Sequence, residues 1–92
     1  MKYFDWNDEK NERLKKERGV SFEQVELAIA SGDLVDRIRH SNPIKYPNQQ
    51  VFLVMIENYI YSVPYIEDDE KIFLKAIIPN RKATKRYLEG KK

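Results

Sequence analysis

Basic side chains are concentrated at the end of this chain, directly after an apolar run. From Pro79 onward there are six lysines and arginines but only one acidic residue, Glu89, so this segment carries a charge of +5. The whole chain carries only +2, which leaves −3 on residues 1–78. A positive segment on an otherwise acidic chain indicates an anionic partner.

Four of these cations stand at helical spacing. Arg81 and Lys85 would share one face of a helix, as would Lys82 and Arg86, so each pair presents two charges about one turn apart. Arg81 and Lys82 are candidates for contact with a phosphate group, because the junction between a strand and a helix constrains their position. The alternative, above all for Lys85 and Arg86, is a solvated helix whose cations favour solubility and the helix dipole.

A histidine that follows two arginines forms a second candidate group. His40 is the only side chain of the sequence whose unperturbed pKa lies near neutrality, so it is a candidate for proton transfer. The alternative is an exposed histidine at the end of a strand. Arg37 and Arg39 project from one face of the same predicted strand, where they either line a groove for nucleic acid or form surface ion pairs with acidic side chains.

Three tyrosines of a later strand also share a face. Tyr59, Tyr61 and Tyr65 could stack on nucleic-acid bases, as aromatic side chains of sheet-based RNA binders do. A stripe of this kind is more often core beneath a helix, and core is our prediction. The acidic turn at 67–70 lacks the alternating ligands and the glycine of a calcium loop.

Composition bounds the class of protein. The 92 residues suffice for a single domain, 1–92, and 41% hydrophobic with 12% aromatic content is typical of a globular chain. The absence of cysteine excludes disulfides and thiolate chemistry, and one histidine argues against a histidine metal site. We expect no metal and no cofactor. No apolar run is long enough to cross a bilayer and the N-terminus is not a signal peptide, so a cytoplasmic location is expected.

Two N-terminal helices are predicted from their terminal residues. The first is capped by Asn7 or Asp8, whose side-chain oxygen accepts from unpaired backbone N–H groups. It runs to about Arg18 and stops at Gly19, which favours the left-handed conformation of a helix end. A capping box at residues 21–24 starts the second helix.

After the second helix the hydrophobic pattern changes from helical to alternating. Four strands are predicted, at residues 34–40, 50–57, 59–66 and 71–78. The second is apolar on both faces, which is typical of a central strand, and Pro64 in the third indicates an edge or a bulge. With a short helix after Pro79, the predicted fold is α+β, in which two N-terminal helices pack on a four-stranded antiparallel sheet.

Four short segments stand in a characteristic order along the chain. They are Phe4-Asp5-Trp6, Glu9-Lys10-Asn11, Gly19-Val20-Ser21-Phe22-Glu23 and Arg81-Lys82-Ala83-Thr84. From about Tyr3 to Tyr87 their order and spacing resemble the BrnT-like toxins, small members of the RelE-type ribonuclease superfamily. The resemblance implies a RelE-like sheet, cleavage of mRNA that is ribosome-linked or general, and neutralisation by a cognate antitoxin, usually of ribbon-helix-helix type.

The sequence departs from the family's pattern at two places. Typical members carry Lys-His-Gly at the end of the first helix, whereas the run here is Glu17-Arg18-Gly19. The Arg-rich segment that commonly leads into the central strand is here Lys45-Tyr46-Pro47-Asn48-Gln49. The resemblance alone makes Arg18 a candidate for catalysis, since a cation at this helix end otherwise only complements the helix dipole.

Metal-independent RNA cleavage needs a base for the 2′-OH proton, an acid for the leaving 5′-oxygen, and fixed cations that stabilise charge on phosphorus. The 2′-OH is an internal nucleophile, so the absence of cysteine does not exclude this reaction. The predicted catalytic residues are Arg81, Lys82, His40 and Arg18. The predicted RNA-binding residues are Arg37, Arg39, Lys85 and Arg86.

The resulting hypothesis is a toxin of a type II toxin–antitoxin system that acts as a metal-independent endoribonuclease. Its expected partners are an antitoxin and RNA, including ribosome-bound mRNA, with no membrane and no small-molecule cofactor. The alternative is a non-catalytic RNA- or protein-binding module on the same fold. A pure interaction protein is a third hypothesis, because nucleic-acid domains are often more basic than +2.

Overall fold

The computed structural model describes residues 2–39, 44 and 49–90. Within these residues the chain forms three helices, α1 (Asp8–Arg18), α2 (Phe22–Ala30) and α3 (Arg81–Gly90). The strands there are β1 (Tyr3–Asp5), β2 (Leu34–Arg39), β3 (Gln49–Ile56), β4 (Tyr59–Glu67), β5 (Lys71–Leu74) and β6 (Ile78–Pro79). No helix in this part of the chain has the length and apolar character needed to cross a membrane.

The strands form one mixed sheet in the order β1-β5-β4-β3-β2, with β6 also paired to β4. Strands β2 to β5 are successive antiparallel neighbours, which is the predicted meander. β1 adds a parallel strand beside β5 that is not among the four strands predicted from the sequence. The α+β class is confirmed. The predicted four-stranded antiparallel sheet is not matched exactly, because β1 adds a parallel strand and the predicted last strand is divided into β5 and β6.

The predicted last strand is divided into β5 and β6 by a bulge. Tyr65 pairs with Leu74 and Ser62 pairs with Ile78, so three residues of the last strand oppose two residues of β4. Pro64 is one of those two residues and has no N–H to donate, so an irregular partner costs no ladder hydrogen bond there. Of the two alternatives predicted at Pro64, an edge or a bulge, the structure has the bulge. The extra residue lies between β5 and β6, and Pro64 itself lies in β4, which is an interior strand.

β2 departs from the predicted alternation at its first residues. The register shifts between Leu34 and Asp36, so Val35 is an additional residue in this strand. Leu34 pairs with Val54 whereas Asp36 pairs with Leu53, and adjacent residues of β3 point to opposite faces. Leu34 and Asp36 therefore lie on opposite faces of the sheet, whereas an uninterrupted strand would place them on the same face. A bulge in an edge strand also limits pairing with other chains.

α1 and α2 cover one face of the sheet, here called the helix-side face. Phe22 and Val25 of α2 are completely buried and pack on Phe52, Val54 and neighbouring side chains of β3 and β4. Tyr65 is also completely buried, and its ring stacks on that of Phe52 with 3.8 Å between centroids. The prediction that this tyrosine belongs to the core is confirmed.

A buried asparagine joins the two N-terminal helices. The side-chain oxygen of Asn11 accepts a hydrogen bond of 2.8 Å from the backbone N–H of Phe22, and its amide nitrogen donates to Glu23 Oε1 at 2.6 Å. The first bond satisfies a donor in the first turn of α2 that has no partner within the helix. Two of the segments that carry the family resemblance thus meet for a structural reason.

Substitution of Asn11 by alanine is expected to lower the free energy of unfolding by about 1–3 kcal/mol, because the buried N–H of Phe22 loses its acceptor. Urea denaturation measures the change. The exposed Lys16→Ala in the same helix is the control and is expected to stay within about 0.5 kcal/mol of the unsubstituted protein. Equal stability of the two variants would contradict the role of Asn11.

The Asn11–Glu23 contact also predicts a dependence on pH. The hydrogen bond from Asn11, with a further contribution from Lys15, holds the pKa of Glu23 below its ordinary value of 4.5. A lowered pKa in the folded state stabilises the protein above pH 4.5, and this stabilisation is lost as the pH falls through the lowered value. Below pH 4.5, unfolding free energies are expected to fall more steeply for the unsubstituted protein than for Glu23→Gln. Parallel pH profiles in urea denaturation would refute this.

Candidate nucleic-acid interface

The first turn of α3 is fixed to the sheet by hydrogen bonds. The N–H of Asn80 donates to the carbonyl of Ile60 at 3.0 Å, and the Asn80 side-chain oxygen caps the helix by accepting from Ala83 N–H at 2.9 Å. The buried Thr84 hydroxyl accepts from Ile60 N–H at 2.9 Å and donates to the Asn80 carbonyl at 2.8 Å. The amide of Asn80 also donates to Ser62 Oγ at 2.9 Å. The start of α3 therefore has little freedom relative to β4.

This anchored helix carries the cations that the sequence singles out. Arg81, Lys82, Lys85 and Arg86 are all exposed, and none of them makes a hydrogen bond or an ion pair within the described residues. Several other lysines are paired with carboxylates instead, namely Lys2 with Glu67, Lys15 with Glu12 and Glu23, and Lys71 with Asp5. The four α3 cations are thus available to an anionic partner.

The structure groups these cations differently from the predicted pairs. Lys82, Lys85 and Arg86 line one shallow depression of about 260 Å³ together with Glu89. Arg81 is not part of this depression and stands at the beginning of the helix, next to the cap. Three cations against one carboxylate leave the depression positive, which suits a phosphate group.

A groove of about 300 Å³ separates α3 from the open part of the sheet. Its floor includes Leu53 and Ile60, which belong to the sheet face opposite α1 and α2 because Leu53 is adjacent to the buried Phe52 and Val54 in β3. The remaining lining residues are Val35, Asp36, Ala83, Arg86 and Tyr87. Arg86 thus belongs both to the cationic depression and to this partly apolar groove.

Arg37 lies on the helix-side face, away from the cations of α3. It pairs with Phe52 in the ladder, and its guanidinium lies against the hydroxyl of Tyr65, which donates to Gln50 Oε1 at 2.6 Å. Burial raises the pKa of the Tyr65 hydroxyl, and the Arg37 guanidinium acts in the opposite direction. Sequence reasoning missed these contacts of Arg37, because Tyr65 and Gln50 come from different strands.

The other predicted site residues are distributed over the chain. Arg39 is paired with Gln50 in the ladder. His40 and residues 45–48, where the sequence departs from the family's pattern, lie outside the described residues. Arg18 lines a groove beside α1 together with Ile78 and none of the α3 cations. Among the predicted site residues that the structure describes, the largest group on one element is therefore the four cations of α3.

No protein-family model, curated protein or solved structure matches this chain. In the part of the chain that the structure describes, no three or more His, Cys, Asp or Glu side chains are grouped so that they could hold a metal ion. The candidate interface is thus defined by its own residues. They are four cations that have no ion-pair partner among the described residues and that stand on a helix anchored to a sheet.

Replacement of Thr84 by valine is expected to destabilise the protein by about 1–3 kcal/mol, because the N–H of Ile60 loses its acceptor in a buried site. Thr84→Ser keeps the hydroxyl and removes one methyl group, which costs about 1 kcal/mol. Urea denaturation ranks the variants, and amide exchange at Ile60 should be faster in Thr84→Val alone. A serine variant less stable than the valine variant would contradict the anchoring role of the hydroxyl.

Proposed function

We propose that this chain is the toxin of a type II toxin–antitoxin system, a small RelE-like endoribonuclease that cleaves mRNA without a metal ion. The observation that carries this proposal is the set of four cations on the anchored helix α3 that make no ion pair with any residue the structure describes. The family resemblance supports it, as does the arrangement of two N-terminal helices on an antiparallel meander that continues into a cationic helix.

In the proposed reaction the 2′-oxygen of the RNA attacks the adjacent phosphorus. A bond forms between the 2′-oxygen and phosphorus, the bond between phosphorus and the 5′-oxygen breaks, and the proton of the 2′-OH is taken by a base while the 5′-oxygen gains a proton. Arg81 and Lys82 stabilise the negative charge that develops on the phosphoryl oxygens. His40 is the proposed group for proton transfer, and Arg18 is the proposed group for a further substrate contact.

The position of Arg81 and Lys82 matters for this role. Electrostatic stabilisation of a transition state is efficient when the charges are fixed before the reaction, since no reorganisation is then needed. The hydrogen bonds of Asn80 and Thr84 hold the first turn of α3 to β4 and so restrict the backbone that carries both cations.

The remaining contacts in this proposal extend the RNA path. Lys85 and Arg86 lie about one helical turn beyond Arg81 and Lys82 and bind a neighbouring phosphate. Because Arg37 lies on the sheet face opposite α3, Arg37 and Arg39 are proposed to contact the substrate only where it passes around the edge strand β2. The proposed protein partner is an antitoxin of ribbon-helix-helix type, and the proposed setting is the cytoplasm, where mRNA and ribosomes are present.

The decisive experiment compares RNA cleavage by the chain and by the Arg81→Ala, Lys82→Ala double variant, with and without ribosomes and in the presence of EDTA. The double variant is expected to lose about 100-fold in cleavage rate, as expected for lost charge stabilisation in the transition state. The products should carry 2′,3′-cyclic phosphates, because the nucleophile is the 2′-oxygen. A 2′-deoxy substitution at the cleaved position should abolish the reaction.

The matched control is Lys16→Ala, Lys75→Ala, which also removes two exposed positive charges but leaves α3 unchanged. This control is expected to cleave RNA at the rate of the unsubstituted chain. Equal losses in both double variants would mean that only overall charge matters. Absence of cleavage in every condition would reject the ribonuclease.

The alternative is a non-catalytic binding module. The exposed cations of α3, which have no ion-pair partner among the described residues, are sufficient to bind RNA whether or not groups for proton transfer stand beside them. Salt-dependent RNA binding that the Arg81→Ala, Lys82→Ala variant weakens, without any cleavage, would identify the module as an RNA binder.

A further inference from the structure

A second groove, of about 260 Å³, lies between α1 and the segment that joins β5 to β6. It contains no residue of α3 and is therefore distinct from the cationic depression described above. Its lining residues are Lys10, Arg13, Leu14, Glu17, Arg18, Ala76, Ile77 and Ile78. We call it the α1 groove.

The wall of the α1 groove is positively charged. Lys10, Arg13 and Arg18 project from α1 against a single acidic residue, Glu17, and all four side chains are exposed. The described residues offer no ion-pair partner to the three cations, whereas Lys15 of the same helix is paired with Glu12 and Glu23. The wall is therefore complementary to carboxylates or phosphates.

The floor of the α1 groove is aliphatic and borders a free sheet edge. Leu14 and Ile77 are buried beneath it, while Ile78 is 49% exposed although it belongs to a strand. Within the described residues β6 pairs only with β4, and β1 covers the outer edge of β5 but not that of β6. Because Pro79 has no N–H, this edge offers an extended chain an apolar surface and carbonyl acceptors but no donor at Pro79.

We infer that the α1 groove binds an extended acidic segment of a partner protein. Its carboxylates contact Lys10, Arg13 and Arg18, and its alternate aliphatic side chains cover Ile78. Single-stranded nucleic acid fits this groove less well, because bases stack on aromatic rings and the lining contains none. The inference does not depend on ribonuclease activity, since it involves none of the α3 cations and shares only Arg18 with the residues proposed for RNA cleavage. The variants used to test it leave Arg18 unchanged.

The test uses a short fluorescein-labelled peptide in which glutamate and valine alternate, with binding to the whole chain followed by fluorescence anisotropy. Arg13→Glu should weaken binding about tenfold or more, because an attractive contact becomes repulsive. Lys16→Glu makes the same charge change on α1 outside the groove and should bind the peptide nearly as well as the unsubstituted chain. Circular dichroism checks that both variants are folded.

Several outcomes would overturn the inference. No binding of the acidic peptide would do so, as would equal weakening by Arg13→Glu and Lys16→Glu. If labelled oligouridylate binds in place of the peptide and Arg13→Glu weakens that binding, the groove is a nucleic-acid site. Loss of RNA cleavage in α3 variants leaves this result unaffected, so the two proposals fail separately.

Discussion

Burial of the helix-side face of β3 and β4 beneath α2 is the interaction on which the rest of this structure depends. Phe22, Val25, Val54 and Val63 have no exposed surface, and Tyr65 closes the same layer by stacking on its neighbour in β3. Apolar area removed from water is the main favourable term in folding, so this layer positions the helices and the sheet. The polar contacts can form only once these elements are in place.

The buried polar groups follow from that packing and are fully satisfied. No buried side-chain nitrogen or oxygen of the described residues lacks a hydrogen-bond partner. Asn11 serves the first turn of α2, and Thr84 joins α3 to the backbone of β4. Because an unpaired buried donor costs more than a typical hydrogen bond contributes, these two residues make the helix positions specific.

The charges divide into those that the fold uses and those that it leaves free. Ion pairs tie β1 and the chain before it to neighbouring strands and tie α1 to α2. The cations of α3 and those beside the α1 groove have no such partner within the described residues. The segments behind the family resemblance divide in the same way, since Asn11 and Thr84 serve the fold whereas Arg81 and Lys82 do not. Residues that stabilise the fold can thus be distinguished from residues whose charge is left to bind a partner.

Local chemistry determined much of the secondary structure. The sequence predicted Gly19 as the end of α1, which has a φ of 68°, and Ser21 in the capping box of α2, because each involves residues within one turn. Of the two predicted caps of α1, the structure has Asn7. The double-sided apolar pattern of β3 likewise predicted a central strand. Tertiary contacts alone decided that β1 pairs with β5 and that β2 bulges at Val35. They also decided that Arg37 contacts Tyr65 on the helix-side face and so lies away from the α3 cations. These outcomes depend on residues far apart in sequence, whose proximity no local pattern encodes.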